Sequence, residues 1–92
     1  MQEDIREYAF GTDCFDEKTK QLMIFGIMLG QLNDAAKMHA IAARRVGASW
    51  QELHAVVGLC YVFRGQPAAN RGAEMLAEVA MLEANTKAKA PE

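Results

Sequence analysis

One stretch, residues 33–52 (NDAAKMHAIAARRVGASWQE), restricts the fold of this chain more than any other part of it. Asn33 can cap a helix, because its side chain can accept hydrogen bonds from backbone amides of the first turn. Gly47 is typical of the left-handed residue that ends a helix. Ser49 and Glu52 have the spacing of a capping box, which starts a second helix. The stretch therefore predicts two helices separated by a tight turn.

The first of these helices carries a histidine on its predicted buried face. That face consists of residues at helical spacing, namely Ala35, Met38, His39, Ala42 and Val46. A histidine on an apolar face is either a core residue held by a hydrogen bond or a general acid–base group beside a pocket. Both interpretations of His39 fit the sequence at this point.

The remaining pattern predicts an all-α protein of one domain, residues 1–92. No stretch alternates with a period of two, as a strand would. Helices are expected over residues 2–9, 17–29 and 50–64, and from Pro67 to about Ala84. Residues 1–14 form an N-terminal arm or short helix, and residues 85–92 a frayed tail. The short connections favour a compact antiparallel helical bundle.

Three further helix faces are predicted to be apolar. Residues 22–29 (LMIFGIML) are apolar on every side, which predicts a central helix or a subunit contact. The next face consists of Leu53, Val56, Val57, Cys60 and Phe63. The last helix presents small residues, namely Ala69, Gly72, Ala73, Leu76, Val79 and Ala80.

Composition favours a soluble protein that associates with copies of itself. Hydrophobic residues make up 51% of only 92 residues, and a chain this short buries a limited share of its surface. The net charge of −2 gives no electrostatic basis for binding nucleic acid. The N-terminus lacks the apolar segment of a signal peptide, and residues 22–29 are too few to span a bilayer. We therefore expect a cytoplasmic protein with no membrane partner.

The two cysteines, Cys14 and Cys60, indicate no metal site and no disulfide framework. Neither a CxxC motif nor a zinc-type spacing occurs in the chain. His39 and His54 lie on different predicted helices without clustered carboxylates, and His54 is expected on the surface. We expect no metal and no cofactor, and a reducing compartment suits the chain. A redox pair would require the fold to bring the two cysteines together.

Three motifs, in this order and spacing, resemble the carboxymuconolactone decarboxylase family. They are D-x-K-x-(K/R)-x-L at residues 16–22, H-x-x-x-A-x-x-x-G-(A/V)-(S/T)-x-x-E-(L/I) at residues 39–53, and G-x-P-A-A at residues 65–69. The resemblance covers about residues 15–80. It implies an all-helical, alkylhydroperoxidase D-like fold that assembles as a homotrimer, or as a homohexamer built from trimers.

The resemblance also implies two types of chemistry, and the chain departs from one of them. Peroxidase-type members carry a CxxC before the histidine and a glutamate on the preceding helix. Here Leu32 and Ala35 occupy the two cysteine positions, and the glutamate position falls at Gln21 or Lys20. A disulfide relay cannot run without its thiols. His39 is the one position that carries over.

Three hypotheses about function follow. The first is a decarboxylase-type lyase that acts on a small carboxylated lactone or related acid, with His39 as general acid–base. Lys37, Arg44 or Arg64 would anchor the substrate carboxylates. The second is a thiol-dependent, peroxiredoxin-like peroxidase that uses Cys14 or Cys60. The third is a non-catalytic oligomeric binding protein with a degenerate site.

Overall fold

The computed structural model describes the backbone of residues 2–11 and 13–89, and the side chains of residues 4–11 and 13–86. Within these residues the chain forms five helices and no strand, which confirms the all-α prediction. The helices are α1 (Gln2–Gly11), α2 (Glu17–Gly30), α3 (Ala36–Arg45), α4 (Trp50–Arg64) and α5 (Gln66–Lys89).

Local signals set most helix ends where the sequence predicts them. Asp16 caps α2 by accepting from the backbone amide of Thr19 at 2.8 Å. Gly47 follows α3 with a φ of 104°, a conformation that favours glycine. Ser49 and Glu52 form the predicted capping box, with hydrogen bonds of 2.9 and 3.1 Å. Each signal acts over three or four residues, so it needs no information from the rest of the fold.

Other boundaries differ from the prediction. Helix α3 begins at Ala36, and Asn33 instead accepts from the amide of Ala35 at 2.9 Å, just ahead of the helix. Helix α5 begins at Gln66 rather than Pro67 and continues to Lys89. A tail that frays from residue 85 stays a prediction; the backbone is helical as far as Lys89, and residues 90–92 lie outside the described part.

Helices α2 to α5 pack around one core, and consecutive helices run antiparallel. Lys18 near the start of α2 pairs with Glu52 near the start of α4, and Gly30 at the end of α2 contacts Arg64 at the end of α4. Helices α2 and α4 are therefore parallel. Helices α3 and α5 are also parallel. The largest fully buried side chains are Phe25, Leu29, Leu53, Met75, Leu76 and Val79.

The predicted buried face of α3 is wrong by about one residue. The buried positions are Ala36, Ala40 and Ala43, whereas Met38 and Val46 are 65% and 44% exposed. Alanines face the rest of the bundle because their small side chains let α3 approach its neighbours closely. The larger apolar residues, which dominate a hydrophobicity pattern, lie outside.

Two other predicted faces also include residues that are exposed in the structure. Phe63, placed on the apolar stripe of α4, is 80% exposed, although Leu53, Val57 and Cys60 are buried as expected. In α5, Gly72, Leu76 and Val79 are buried, but Ala73 and Ala80 face outward. Helix α1 lies apart from the core, and Ile5, Tyr8 and Phe10 on it are exposed.

Candidate active site

The first turns of α2 bring two polar side chains to one face. Glu17 and Gln21 are four residues apart, which places them one above the other on a helix. The Gln21 Nε2 atom donates to Glu17 Oε2 at 3.0 Å. The glutamine amide is therefore held at one end by a carboxylate on its own helix.

The other end of the same amide meets His39. Gln21 Oε1 lies 2.8 Å from His39 Nδ1, which joins α2 to α3 through a side-chain hydrogen bond. His39 is half-buried where α3 meets α2. The result is a continuous chain of contacts from Glu17 through Gln21 to His39.

Lys20 completes this cluster. Its Nζ atom donates to the Phe10 carbonyl at 2.7 Å and lies 3.8 Å from Glu17 Oε1. The contact with Phe10 connects the end of α1 to α2 beside the Glu17–Gln21 pair. Among the cations named so far, Lys20 is the one whose contacts belong to the His39 cluster.

The predicted carboxylate anchors lie elsewhere. Lys37 forms an ion pair with Glu78 on α5, at 3.2 Å. Arg64 donates from Nε to the Gly30 carbonyl at 2.8 Å, at the far end of α2 from Gln21. Among the described residues, neither of these two contacts involves His39.

Arg44, the third predicted anchor, is engaged by the protein itself. It donates to both carboxylate oxygens of Glu83 and to the Ala48 carbonyl, and its guanidinium lies 4.2 Å from the centre of the Trp50 ring. Hydrogen bonding to Glu83 raises the pKa of Arg44 above its usual value. These contacts are those of a structural link between α3, α4 and α5.

The two cysteines are not joined to each other. Cys60 is buried, donates from Sγ to the Gly26 carbonyl at 3.5 Å, and has its pKa raised by burial. Cys14 is exposed in the connection before α2. Cys14 therefore precedes α2, whereas Cys60 contacts the middle of that helix at Gly26.

An apolar groove lies on the opposite side of α2 from His39. It has a volume of about 670 Å³ between α2 and α4, and its lining is almost entirely apolar. Met23, Ile27, Leu59 and Phe63 belong to that lining, whereas His39 does not. We call this surface the α2–α4 face.

Sequence reasoning missed Glu17 as a member of the site and left Gln21 without a role. The spacing of Glu17 and Gln21 was the available signal, since side chains four residues apart on a helix interact. His54 is exposed, as expected. Among the described residues, no group of three or more histidine, cysteine, aspartate or glutamate side chains could hold a metal ion.

Comparison with known proteins supplies the identity of the fold. The profile of the Carboxymuconolactone decarboxylase family matches residues 1–78. The chain belongs to this family. No curated protein and no solved structure matches it. Members of the family include enzymes, and His39 lies within the matched part of this family member. No described helix in it is long and apolar enough to cross a membrane.

Proposed function

We propose that this member of the carboxymuconolactone decarboxylase family is an acid–base enzyme that decarboxylates a small carboxylated lactone or a related acid. The observation that carries the proposal is the hydrogen bond between His39 and Gln21, itself held by Glu17. An imidazole that is oriented by a neighbour and reaches the surface is suited to proton transfer.

In the proposed reaction, the bond between the carboxylate carbon and the adjacent carbon breaks. Its electron pair moves onto the adjacent carbon and into the conjugated lactone carbonyl, and carbon dioxide leaves. Protonated His39 then delivers its proton to that carbon, which forms the new C–H bond. The neutral imidazole regains a proton from water, so no oxidant, reductant or cofactor is needed.

Substrate turnover tests this proposal. Purified protein is expected to consume carboxymuconolactone, and His39→Ala should abolish turnover while leaving the helical content unchanged. His54→Ala is the matched control, because His54 is exposed on α4, and it should retain activity. Turnover that survives His39→Ala would remove the histidine from the reaction, and lack of turnover by the unmodified protein would reject this substrate.

We also propose that the site works within a homo-oligomer, a trimer or a hexamer built from trimers, formed through the α2–α4 face. Exposed apolar side chains cover this face, and Ile27, Leu59 and Phe63 are 61%, 60% and 80% exposed. A contiguous apolar surface of this kind favours association with a matching surface. Family membership supports a second copy of this chain as the occupant.

Sedimentation and light scattering test the assembly. Phe63→Lys should shift the protein towards monomer, because a charge would enter the apolar contact. Gln51→Lys adds the same charge to an exposed position of the same helix and should leave the assembly intact. A monomeric unmodified protein, or equal behaviour of the two variants, would contradict this interface.

The thiol-peroxidase alternative gains no support from the surroundings of Cys60. A reactive thiol needs an accessible site and a lowered pKa, whereas Cys60 is buried and has a raised pKa. Location in the cytoplasm and a non-catalytic binding role remain predictions.

A further inference from the structure

We propose that Gln21 is a positioning residue that determines which nitrogen of His39 carries the proton, and that Glu17 sets the orientation of the Gln21 amide. The inference rests on the proposed function, because it identifies the His39 atom that exchanges a proton with the substrate. That atom is Nε2.

A carboxylate such as that of Glu17 accepts hydrogen bonds and donates none. The Gln21 atom that lies 3.0 Å from Glu17 Oε2 must therefore be the donor, Nε2. This settles an ambiguity, since the oxygen and nitrogen of a side-chain amide are otherwise assigned only from their surroundings. The oxygen of Gln21 then points at His39.

The second step follows from the properties of an amide oxygen, which carries no proton. Gln21 Oε1 lies 2.8 Å from His39 Nδ1, so Nδ1 must be the donor in this bond. In the neutral ring only one nitrogen carries a proton. His39 Nε2 therefore keeps its lone pair and is the nitrogen that gains and releases a proton during the reaction.

Lys20 helps to maintain this arrangement. It lies 3.8 Å from the other carboxylate oxygen of Glu17, Oε1, which leaves Oε2 for the Gln21 amide. If the amide rotated by half a turn, its oxygen would face the Glu17 carboxylate and its nitrogen would face His39. Two acceptors would then oppose each other, so the observed orientation is the stable one.

Nitrogen-15 NMR of labelled histidine tests the assignment directly, because protonated and unprotonated ring nitrogens have well separated chemical shifts. The chain has two histidines, and a His54→Gln variant assigns the signals. In its neutral form His39 should show a protonated Nδ1 and an unprotonated Nε2. Exposed His54, for which no side-chain hydrogen bond is described, serves as the internal reference.

Two single variants should disturb this signature. Gln21→Leu removes the acceptor and should move His39 towards the Nε2–H form, with kcat lowered roughly tenfold or more and KM little changed. Glu17→Ala releases the amide and should give a mixture of the two forms. Circular dichroism confirms that each variant is folded.

The exchange variant Glu17→Gln/Gln21→Glu separates positioning from mere packing. It keeps one carboxylate and one amide but reverses their order, so Gln at position 17 can donate to Glu at position 21, which accepts from Nδ1. This variant should restore the Nδ1–H form that Gln21→Leu loses. Failure to restore it, with the protein folded, would overturn the role of the pair.

The two proposals fail independently. A neutral His39 ring with its proton on Nε2 and none on Nδ1 in the unmodified protein would overturn the positioning role of Gln21, whatever the activity. An Nδ1–H signature in a protein that turns over no carboxylated lactone would overturn the proposed function and support the positioning role.

Discussion

Two nitrogen atoms of Arg44 donate to the two carboxylate oxygens of Glu83, at 2.8 and 2.9 Å, and so connect α3 to α5. The same guanidinium donates to the Ala48 carbonyl at 2.8 Å and stacks against Trp50. Both partners of the ion pair are partly buried. A bidentate pair of this geometry is more specific and stronger than an ordinary surface ion pair.

Replacement of Arg44 should therefore destabilise the fold. We expect Arg44→Met to lower the free energy of unfolding by about 1–2 kcal/mol, because it removes charged hydrogen bonds and the contact with the aromatic ring. Arg44→Lys should recover only part of this, since an ammonium group cannot pair bidentately. Urea denaturation followed by circular dichroism measures the effect.

Arg45→Met is the matched control for this prediction. Arg45 is the next residue on α3 and is exposed, so its replacement should change the unfolding free energy by no more than about 0.5 kcal/mol. Equal destabilisation by Arg44→Met and Arg45→Met would show that the contacts with Glu83 and Trp50 do not stabilise the fold.

Gly72 of α5 should tolerate no side chain. A Cβ atom there would lie 2.8 Å from Leu29 Cδ2 and 2.9 Å from Val57 Cγ2. Because both neighbours are buried, Gly72→Ala should destabilise the protein by about 1–3 kcal/mol through overpacking. Thermal unfolding measures the loss.

Gly58 of α4 provides the opposite case. A Cβ atom at this exposed position would meet nothing within 4 Å. Gly58→Ala should therefore stabilise the helix by about 0.5–1 kcal/mol, because alanine loses less backbone entropy on folding. A stabilising Gly72→Ala would contradict the close approach of α5 to α2 and α4.

The free energy of unfolding should fall in acid, because two carboxylates in helix caps, Asp16 and Glu52, become protonated. Hydrogen bonds from Thr19 hold the pKa of Asp16 below its ordinary value of 3.8, and the Ser49 amide and Lys18 lower that of Glu52 from 4.5. Above these ordinary values the unfolded and folded states are both ionised, and the stabilisation is complete. As the pH falls below them, the unfolded state takes up protons first, so stability decreases until the lower folded-state values are passed.

Asp16→Asn tests this dependence with the cap retained. Asparagine is also a good N-cap but does not titrate, so the variant should remain folded at neutral pH and lose less stability between pH 5 and pH 3, a window of about two units. Urea denaturation at several pH values measures the slope. An unchanged slope would remove Asp16 from the acid response.

The two thiols should differ in reactivity. Cys60 is buried with a raised pKa, so little thiolate is available at neutral pH, whereas Cys14 is exposed. In the single-thiol variants Cys60→Ser and Cys14→Ser, alkylation at pH 7 should be fast at Cys14 and slow at Cys60. Rapid oxidation of Cys60 by peroxide would instead favour the thiol-peroxidase hypothesis.

The sequence by itself determined the features that depend on neighbouring residues. The Asp16 cap, the positive φ of Gly47 and the Ser49–Glu52 capping box are as predicted. The hydrogen bonds involved span three or four positions, so residue type and spacing suffice to predict them. The all-helical class follows from the same kind of local information.

Only the tertiary structure decided how the helices face one another. The hydrophobicity pattern placed Met38 and Val46 on the buried face of α3. The bundle instead buries Ala36, Ala40 and Ala43, because small side chains allow α3 to approach its neighbouring helices most closely. A rotation of one residue about a helix axis changes every contact that the helix makes. The residue pattern of a single helix does not specify this rotation angle.

The candidate site follows the same division. The sequence singled out His39, and the spacing of Glu17 and Gln21 was visible in it. The contact between Gln21 and His39 joins residues 18 positions apart and exists only because α2 and α3 pack in one particular register. The partner of His39 was therefore decided by packing between helices, which the sequence alone does not specify.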